Sequence, residues 1–249
     1  MPSIMTHAHL TVATVWPTLR ADAEILYKSE PVLKKLLHNS ILTATNFQDA
    51  IGRILSRKLA HADVDAAALR DIFSAAPDPT LPASQDLISI MKHDPAAHDI
   101  LTPFLFFKGF HALQAYRAAH WLWQQDRRHL AVHLQSHISE AFGVDIHPAA
   151  VIGYGVMMDH ATGIVIGETA VVEDDVLFWH GVTLGGKGTA GGDRHPKIRK
   201  GAQLGAGSIV LGPIEIGAGA RVAAGSVVVD TVAAGVTVAG IPAKILIKN

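Results

Sequence analysis

Two hydrophobic periods divide the chain. Up to about residue 140, apolar side chains recur every three to four positions, the spacing of one helix face. "NFQDAIGRILSRKLA" sets Phe47, Ile51, Ile54, Leu55 and Leu59 on such a face, and "VDAAALRDIFSAA" and "SQDLISIMKHD" repeat the pattern. "SEPVLKKLLHNSIL" offers Ser29 as an N-cap with Pro31 in the first turn, while Pro77, Pro79 and Pro82 mark a break. "FLFFKGFHALQAYRAAHWLWQQDRRHLAVHLQSHISEAF" is long enough for one or two helices, its aromatic stripe fitting core or subunit contact. After Phe142 the period becomes six. Aliphatic or aromatic residues fall at Ile146, Ile152 and Met158. The phase slips by two, then resumes at Ile166, Val172, Phe178 and Leu184. "GGKGTAGGDRHPK" interrupts, and the period returns at Ile198, Leu204, Val210, Ile216, Val222 and Val228.

A six-residue period with small residues at the corners predicts a parallel β-helix. Each hexapeptide makes one short strand and one corner, and three make a coil of about 18 residues. The apolar residue points inward, and stacked coils bury a continuous core. The expected class is α+β: an all-helical domain over residues 1–142, serving as cap and oligomerisation unit, then a β-helix over 143–243 with a protruding loop at 185–197 and a short tail at 244–249.

Composition narrows the classes. A net charge of -1 excludes the basic excess of a nucleic-acid binder, and the lack of Cys excludes disulfides, thiolate metal sites and a cysteine nucleophile. No window approaches the ~18–20 apolar residues of a membrane span, and the first residues lack the pattern of a signal peptide. A cytoplasmic location is expected.

Within the repeat the polar groups gather. His160 and His180 each stand third in their hexapeptides, so they are expected one above the other on adjacent coils. Asp145 lies about one coil below, and Asp159 precedes His160. A histidine with an acidic neighbour suits a general base near neutral pH. Direct attack of an acceptor on an activated acyl donor fits a chain without Cys. The inserted segment ends in Asp193, Arg194 and His195, and the planar fork of an arginine suits a carboxylate or phosphate. Two other classes compete. His160, His180 and His195 could form a three-histidine zinc set between subunits, as in β-helices that hydrate carbon dioxide; or the β-helix could be a scaffold. The two-residue slip beside His160 is a place where extra backbone could shape a pocket.

The runs "FLFFKGFHALQAYRAAHWLW", "VDIHPAAVIGYGVMMDHATGIVIGETAVV" and "VTLGGKGTAGGDRHPKI" closely resemble the serine O-acetyltransferase family, over roughly residues 90 to 243. The resemblance implies a left-handed β-helix and acetyl transfer from acetyl-CoA, a co-substrate rather than a tightly bound cofactor, to the hydroxyl of L-serine, the entry step to cysteine synthesis. It implies His160 of "DHATG" as base and Asp145 of "VDIHP" as its partner. It further implies that Asp94 and Asp159 hold the substrate amino group, and Arg194 and His195 its carboxylate. Coenzyme A would lie along a groove between coils, with Gly186, Ala206 and Ala224 as the matching positions. The family is inhibited by L-cysteine and forms trimers or dimers of trimers with sites between adjacent β-helices. Many relatives carry a further tail ending in isoleucine that enters the active site of cysteine synthase. This sequence stops at "GIPAKILIKN", which makes cysteine synthase a doubtful partner for this chain and leaves the degree of cysteine inhibition open.

Overall fold

The structure, a computed structural model, describes residues 10–188 and 191–246. Within them eight α-helices precede fifteen short strands: α1 (Val12–Ser29), α2 (Lys34–Leu37), α3 (Phe47–Leu59), α4 (Ala66–Ala75), α5 (Thr80–His93), α6 (Leu101–Phe106), α7 (Lys108–Gln124) and α8 (Arg128–Phe142). The predicted apolar face of α3 is buried in full, at Phe47, Ile51, Ile54, Leu55 and Leu59. Its first turn is closed by Asn46 Oδ1, which accepts the amide of Asp49 at 2.8 Å, and Asp65 caps α4 in the same way through Ala68.

Three local readings change. Ser29 is the last residue of α1 rather than an N-cap, its hydroxyl turned back to the carbonyls of Ile25 and Leu26; Glu30 then leads into a 3-10 turn at Pro31–Leu33. Pro82 falls in the first turn of α5, where a missing N–H costs no helical bond, so only Pro77 and Pro79 make the break. The aromatic stretch forms two helices, α7 and α8, with the short α6 leading into them.

The strands wind as a parallel β-solenoid with three faces. The first stacks β1 (Val144–Ile146), β4 (Ile164–Ile166), β7 (Thr183–Gly185), β10 (Ile209–Leu211) and β13 (Val227–Val228). The second stacks β2 (Val151–Ile152), β5 (Val171–Val172), β8 (Lys197–Ile198) and β11 (Glu215–Ile216). The third stacks β3 (Met157–Met158), β6 (Leu177–Phe178), β9 (Gln203–Leu204), β12 (Arg221–Val222) and β14 (Thr237–Gly240). Residues 243–245 then turn back as β15 (Ala243–Ile245), antiparallel to β14, so the first part of the expected tail is strand; residues 247–249 lie outside the described residues.

Register reproduces the six-residue period. Ile146, Ile166, Leu184, Val210 and Val228 form one inward ladder, and Ile152, Val172, Ile198 and Ile216 a second. Met158, Phe178, Leu204 and Val222 form the third. All are buried, each contributing about 1.5–3 kcal/mol of apolar burial as an upper bound. One coil spans 20 residues from Val144 to Ile164, 18 from Val165 to Thr183, 26 from Thr183 to Ile209, and 18 again from Ile209 to Val227. The slip and the insertion thus leave the ladder intact and are absorbed in the corners.

The helical region closes the first coil. α7 and α8 pack on β1, and α5 and α7 on β3. The Tyr116 hydroxyl donates to the Ala150 carbonyl, and Arg117 Nη2 donates to the Gly153 carbonyl at 3.0 Å. Asp86, fully buried, accepts from Arg117 Nη2 (2.8 Å), Gln114 Nε2 (2.9 Å) and the Val156 amide (3.0 Å), joining α5, α7 and the residue before β3. His111 is also buried within α7; burial pushes its imidazole down to about 3, so it is neutral, with Nε2 on the Phe104 carbonyl at 2.8 Å. No helix among the described residues is long and apolar enough to cross a membrane.

Candidate active site

Asp159 and His160 stand in the corner between β3 and β4, where the coil carries its two extra residues. A regular corner, as after β6, holds one left-handed residue, Gly181 (φ 69°). Here His160 (φ 54°), Ala161 (φ 59°) and Gly163 (φ 78°) are all left-handed. Two of them carry a Cβ, which costs on the order of 1–3 kcal/mol each. The turn is held by two successive three-residue hydrogen bonds, Ala161 N–H to the Asp159 carbonyl (2.5 Å) and Thr162 N–H to the His160 carbonyl (2.8 Å). Both polar side chains therefore leave the wall on the same side. Asp159 Oδ1 lies 3.8 Å from His160 Nε2, and the imidazole is 77% exposed, open for a substrate to approach. The slip thus breaks the regular coil beside His160.

A helix supports this turn. Lys108 and Gly109 open α7, and the Lys108 ammonium donates to Thr162 Oγ1. A Cβ on Gly109 would overlap the Met158 carbonyl oxygen and press on Ala161, so only glycine lets the helix end close against the turn. Sequence reasoning missed these residues as part of the site; the costly glycine inside a helical pattern was the available signal. Gly109→Ala is expected to displace the turn and lower turnover about 10- to 100-fold, the scale of a misplaced reacting group. Steady-state kinetics alongside circular dichroism check this, and unchanged turnover would show that the helix does not set the turn.

Directly above the turn, the edge between the third and first faces carries a ladder. Its register sets His180, Ala206 and Ala224 two residues beyond Phe178, Leu204 and Val222. Backbone bonds of 2.8 Å join successive corners: Gly181 N–H to Thr162, Gly207 N–H to His180, and Gly225 N–H to Ala206. The His160 and His180 rings meet edge to face, with centroids 6.1 Å apart, as expected from their spacing. Above them the matching positions carry only the methyl groups of Ala206 and Ala224, a track of small side chains.

Arg194 and His195 lie elsewhere. A Cβ on Gly167 would overlap the His195 ring, and one on Gly186 would lie 3.1 Å from its Nε2, which places His195 at the edge between the first and second faces. Thr169 organises this cluster. Its hydroxyl oxygen accepts the amides of Arg194 (3.0 Å) and His195 (3.1 Å) and lies 2.9 Å from His195 Nδ1. The Thr169 amide also donates to Nδ1 at 3.2 Å, so the proton of the neutral ring sits on Nε2. Burial, with the Arg194 charge, holds the His195 pKa below its ordinary value. Arg194 Nη2 reaches Glu168 Oε2 at 2.5 Å, and that hydrogen bond holds the Glu168 carboxyl below its ordinary value. Lys197 Nζ closes the loop on Asp193 Oδ1 (2.5 Å) and the Thr169 carbonyl (2.6 Å). Residues 189–190 of the inserted segment lie outside the described residues.

The expected site residues therefore fall into two groups on opposite edges of the first face. His160, Asp159, His180, Ala206 and Ala224 share one; Gly186, Arg194 and His195 share the other. Nearness of the Arg–His loop to His160, expected from the sequence, does not hold within one chain, because the insertion leaves the coil one corner later than His160. For the same reason His195 does not join His160 and His180 within one chain. The expected pairing of Asp145 with His160 is not made either. Asp145 Oδ1 accepts from Gln135 Nε2 at 2.6 Å, though Asp145 stands two residues beyond Gly143, whose carbonyl takes the Gly163 amide at the base of the His160 turn. Asp94 ends α5, which packs on β3; its Oδ1 accepts the Ala96 amide at 2.8 Å.

A parallel solenoid of hexapeptide coils with an exposed histidine in one corner is the build of a hexapeptide-repeat transferase, and the profile of bacterial transferase hexapeptides matches residues 195–230 as six repeats. The N-terminal serine acetyltransferase profile matches residues 15–115. Serine acetyltransferase of Escherichia coli K12 is 49% identical over 236 residues, covering 93% of this chain and 86% of that protein. Among solved structures, a serine acetyltransferase in complex with cysteine matches with a TM-score of 0.92 at 47% identity, covering 94% of this chain and 99% of that one. The Brucella abortus enzyme with coenzyme A gives 0.91 at 46%, over 93% and 94% of the two chains. The Neisseria gonorrhoeae enzyme with serine gives 0.90 at 45%, over 92% and 96%. The chain belongs to the serine acetyltransferase family, whose members are acetyl-CoA-dependent acyltransferases.

Proposed function

We propose that His160 is the general base of an acetyl transfer from acetyl-CoA to the hydroxyl of L-serine, giving O-acetyl-L-serine and coenzyme A in the cytoplasm. The observation that carries this reading is the strained corner, which presents His160 and Asp159 outward at the foot of the Ala206–Ala224 track. The imidazole takes the hydroxyl proton as the serine oxygen attacks the thioester carbonyl. The tetrahedral intermediate collapses with loss of the thiolate, and the imidazolium returns the proton to sulfur. The track suits a long, thin co-substrate lying against backbone. Asp159 and Asp94 supply negative charge for the substrate ammonium. Arg194, with the Nε2 proton of His195, supplies donors for its carboxylate. Asp145 is assigned a positioning role at the base of the turn. L-Cysteine, an isostere of serine, is expected to compete at the same place.

Because the base and the carboxylate donors occupy opposite edges of one face, a complete site takes the His160 edge of one copy and the Arg194 edge of the next. A threefold ring satisfies this contact with every copy equivalent. The helical region over residues 1–142 is proposed as cap and as the junction between two such rings, and residues 143–243 as the acetyl-transferring unit.

Arg194→Ala is expected to raise the serine concentration for half-maximal rate about 10- to 100-fold, the equivalent of a charge-assisted bond of ~1.5–3 kcal/mol. An unchanged serine response in steady-state assays would count against carboxylate binding. The function itself is tested by following thiol release from acetyl-CoA with L-serine and with a panel of other small alcohols and amines. Serine-dependent release is expected; folded protein that releases thiol only with another acceptor would replace serine in this reading.

A further inference from the structure

The helical region carries a second cluster of histidines, outside the hexapeptide coils. His133 and His137 stand one turn apart on α8, an H-x-x-x-H spacing that sets both rings on one face of the helix. His61, in the connection between α3 and α4, lies against both. Its ring stacks on His137 with centroids 3.6 Å apart and lies 5.3 Å from that of His133, while His133 and His137 meet edge to face at 4.5 Å. One ring nitrogen from each of the three lies within 4.8 Å of the other two.

Two further observations point to a ligand. His133 Nε2 is shut off from solvent and has no hydrogen-bond partner among the described residues, a state that buried polar nitrogens rarely keep. Glu140 Oε2 lies 3.4 Å from His137 Nδ1, the placement of a carboxylate that holds a metal-binding imidazole by its other nitrogen. His61 and His137 keep about a fifth of their side chains exposed, which leaves a path from solvent.

We propose that His61, His133 and His137 bind a divalent transition-metal ion, zinc being the best match, and that the ion ties the α3–α4 connection to α8. Three neutral imidazoles are a ligand set that zinc accepts, with a water or the nearby Asp63 carboxylate completing a tetrahedron. Bonds of about 2.0–2.1 Å place tetrahedral ligands roughly 3.3 Å apart, so the rings close on the ion by side-chain rotation alone. The site lies apart from the acetyl-transfer machinery, and its role is to stabilise the helical region.

The test uses untagged full-length protein, stripped of metal and titrated with zinc. One zinc per chain at micromolar concentration is expected, with a melting temperature that rises with zinc as mass action requires. His61→Gln and His137→Gln should each weaken zinc binding at least about 10-fold and abolish the thermal shift, while serine acetylation stays unchanged and reports correct folding. For the native protein, anomalous scattering at the zinc edge should place the ion among the three rings. No binding at micromolar zinc would overturn the proposal. So would binding undiminished in both variants, or an ion found only beside His160 and His180.

Discussion

His160→Ala is expected to lower the turnover of serine acetylation by about 10²–10⁴-fold, the usual contribution of a positioned general base, without unfolding the chain. The imidazole is largely exposed and pairs with Asp159 at 3.8 Å, so among the described residues removing the ring opens no cavity and leaves no buried group unpaired. The left-handed turn keeps its two hydrogen bonds, which are backbone to backbone, and although alanine adopts that φ less readily than histidine the added cost is small beside those bonds. The loss should therefore fall on kcat, with coenzyme A affinity and melting temperature close to wild type. Near-normal turnover at saturating substrates would remove His160 from the role of base.

Asp86→Ala is expected to have the largest effect on stability, about 3–5 kcal/mol, because it breaks a buried ion pair and strands its partners. The carboxylate is wholly buried and answers three donors at once, from Arg117, Gln114 and the Val156 amide. Alanine would leave the Arg117 guanidinium uncompensated and two further N–H groups unsatisfied. The effect should also reach function. Val156 immediately precedes β3, and β3 leads into the Asp159–His160 turn, so the network that holds α5 and α7 together also anchors the strand that presents the base. Chemical denaturation measures the loss, and a stability within ~1 kcal/mol of wild type, the size of an average point substitution, would show that the site relaxes around the missing carboxylate.

The repeat was the most legible part of the sequence. Thirteen apolar positions from Ile146 to Val228 all point inward, because in a stacked coil each must be buried by the same position one turn away. The stacking of His180 over His160 followed from the same register, while Ala206 and Ala224 came from the family resemblance. What crosses from one face to another did not. An eight-residue insertion can be counted, but the corner from which it springs shows only once the strands are assigned to faces, and so the separation of Arg194 from His160 was hidden. The bracing of the loop by Thr169 and Glu168 was hidden too, since both lie in an earlier coil from the residues they hold. Helix ends were misplaced where a general preference met a local competitor. Ser29 satisfies its hydroxyl on its own helix, and Pro82 costs nothing in a first turn. Gly109 looked like a weakness in α7; its meaning is the close approach of a backbone distant in sequence.

Mixed oligomers test the central claim most directly, that one site is built from the His160 edge of one copy and the Arg194 edge of another. His160→Ala and Arg194→Ala chains, each nearly inactive at low serine, are unfolded together in equal amounts, refolded and assayed at that serine concentration. In a threefold ring about a quarter of the sites would then pair an intact His160 with an intact Arg194, so activity should return to roughly a quarter of that of wild-type protein carried through the same cycle. Activity that stays at the level of the two variants refolded separately would contradict a shared site and place both half-sites within a single chain.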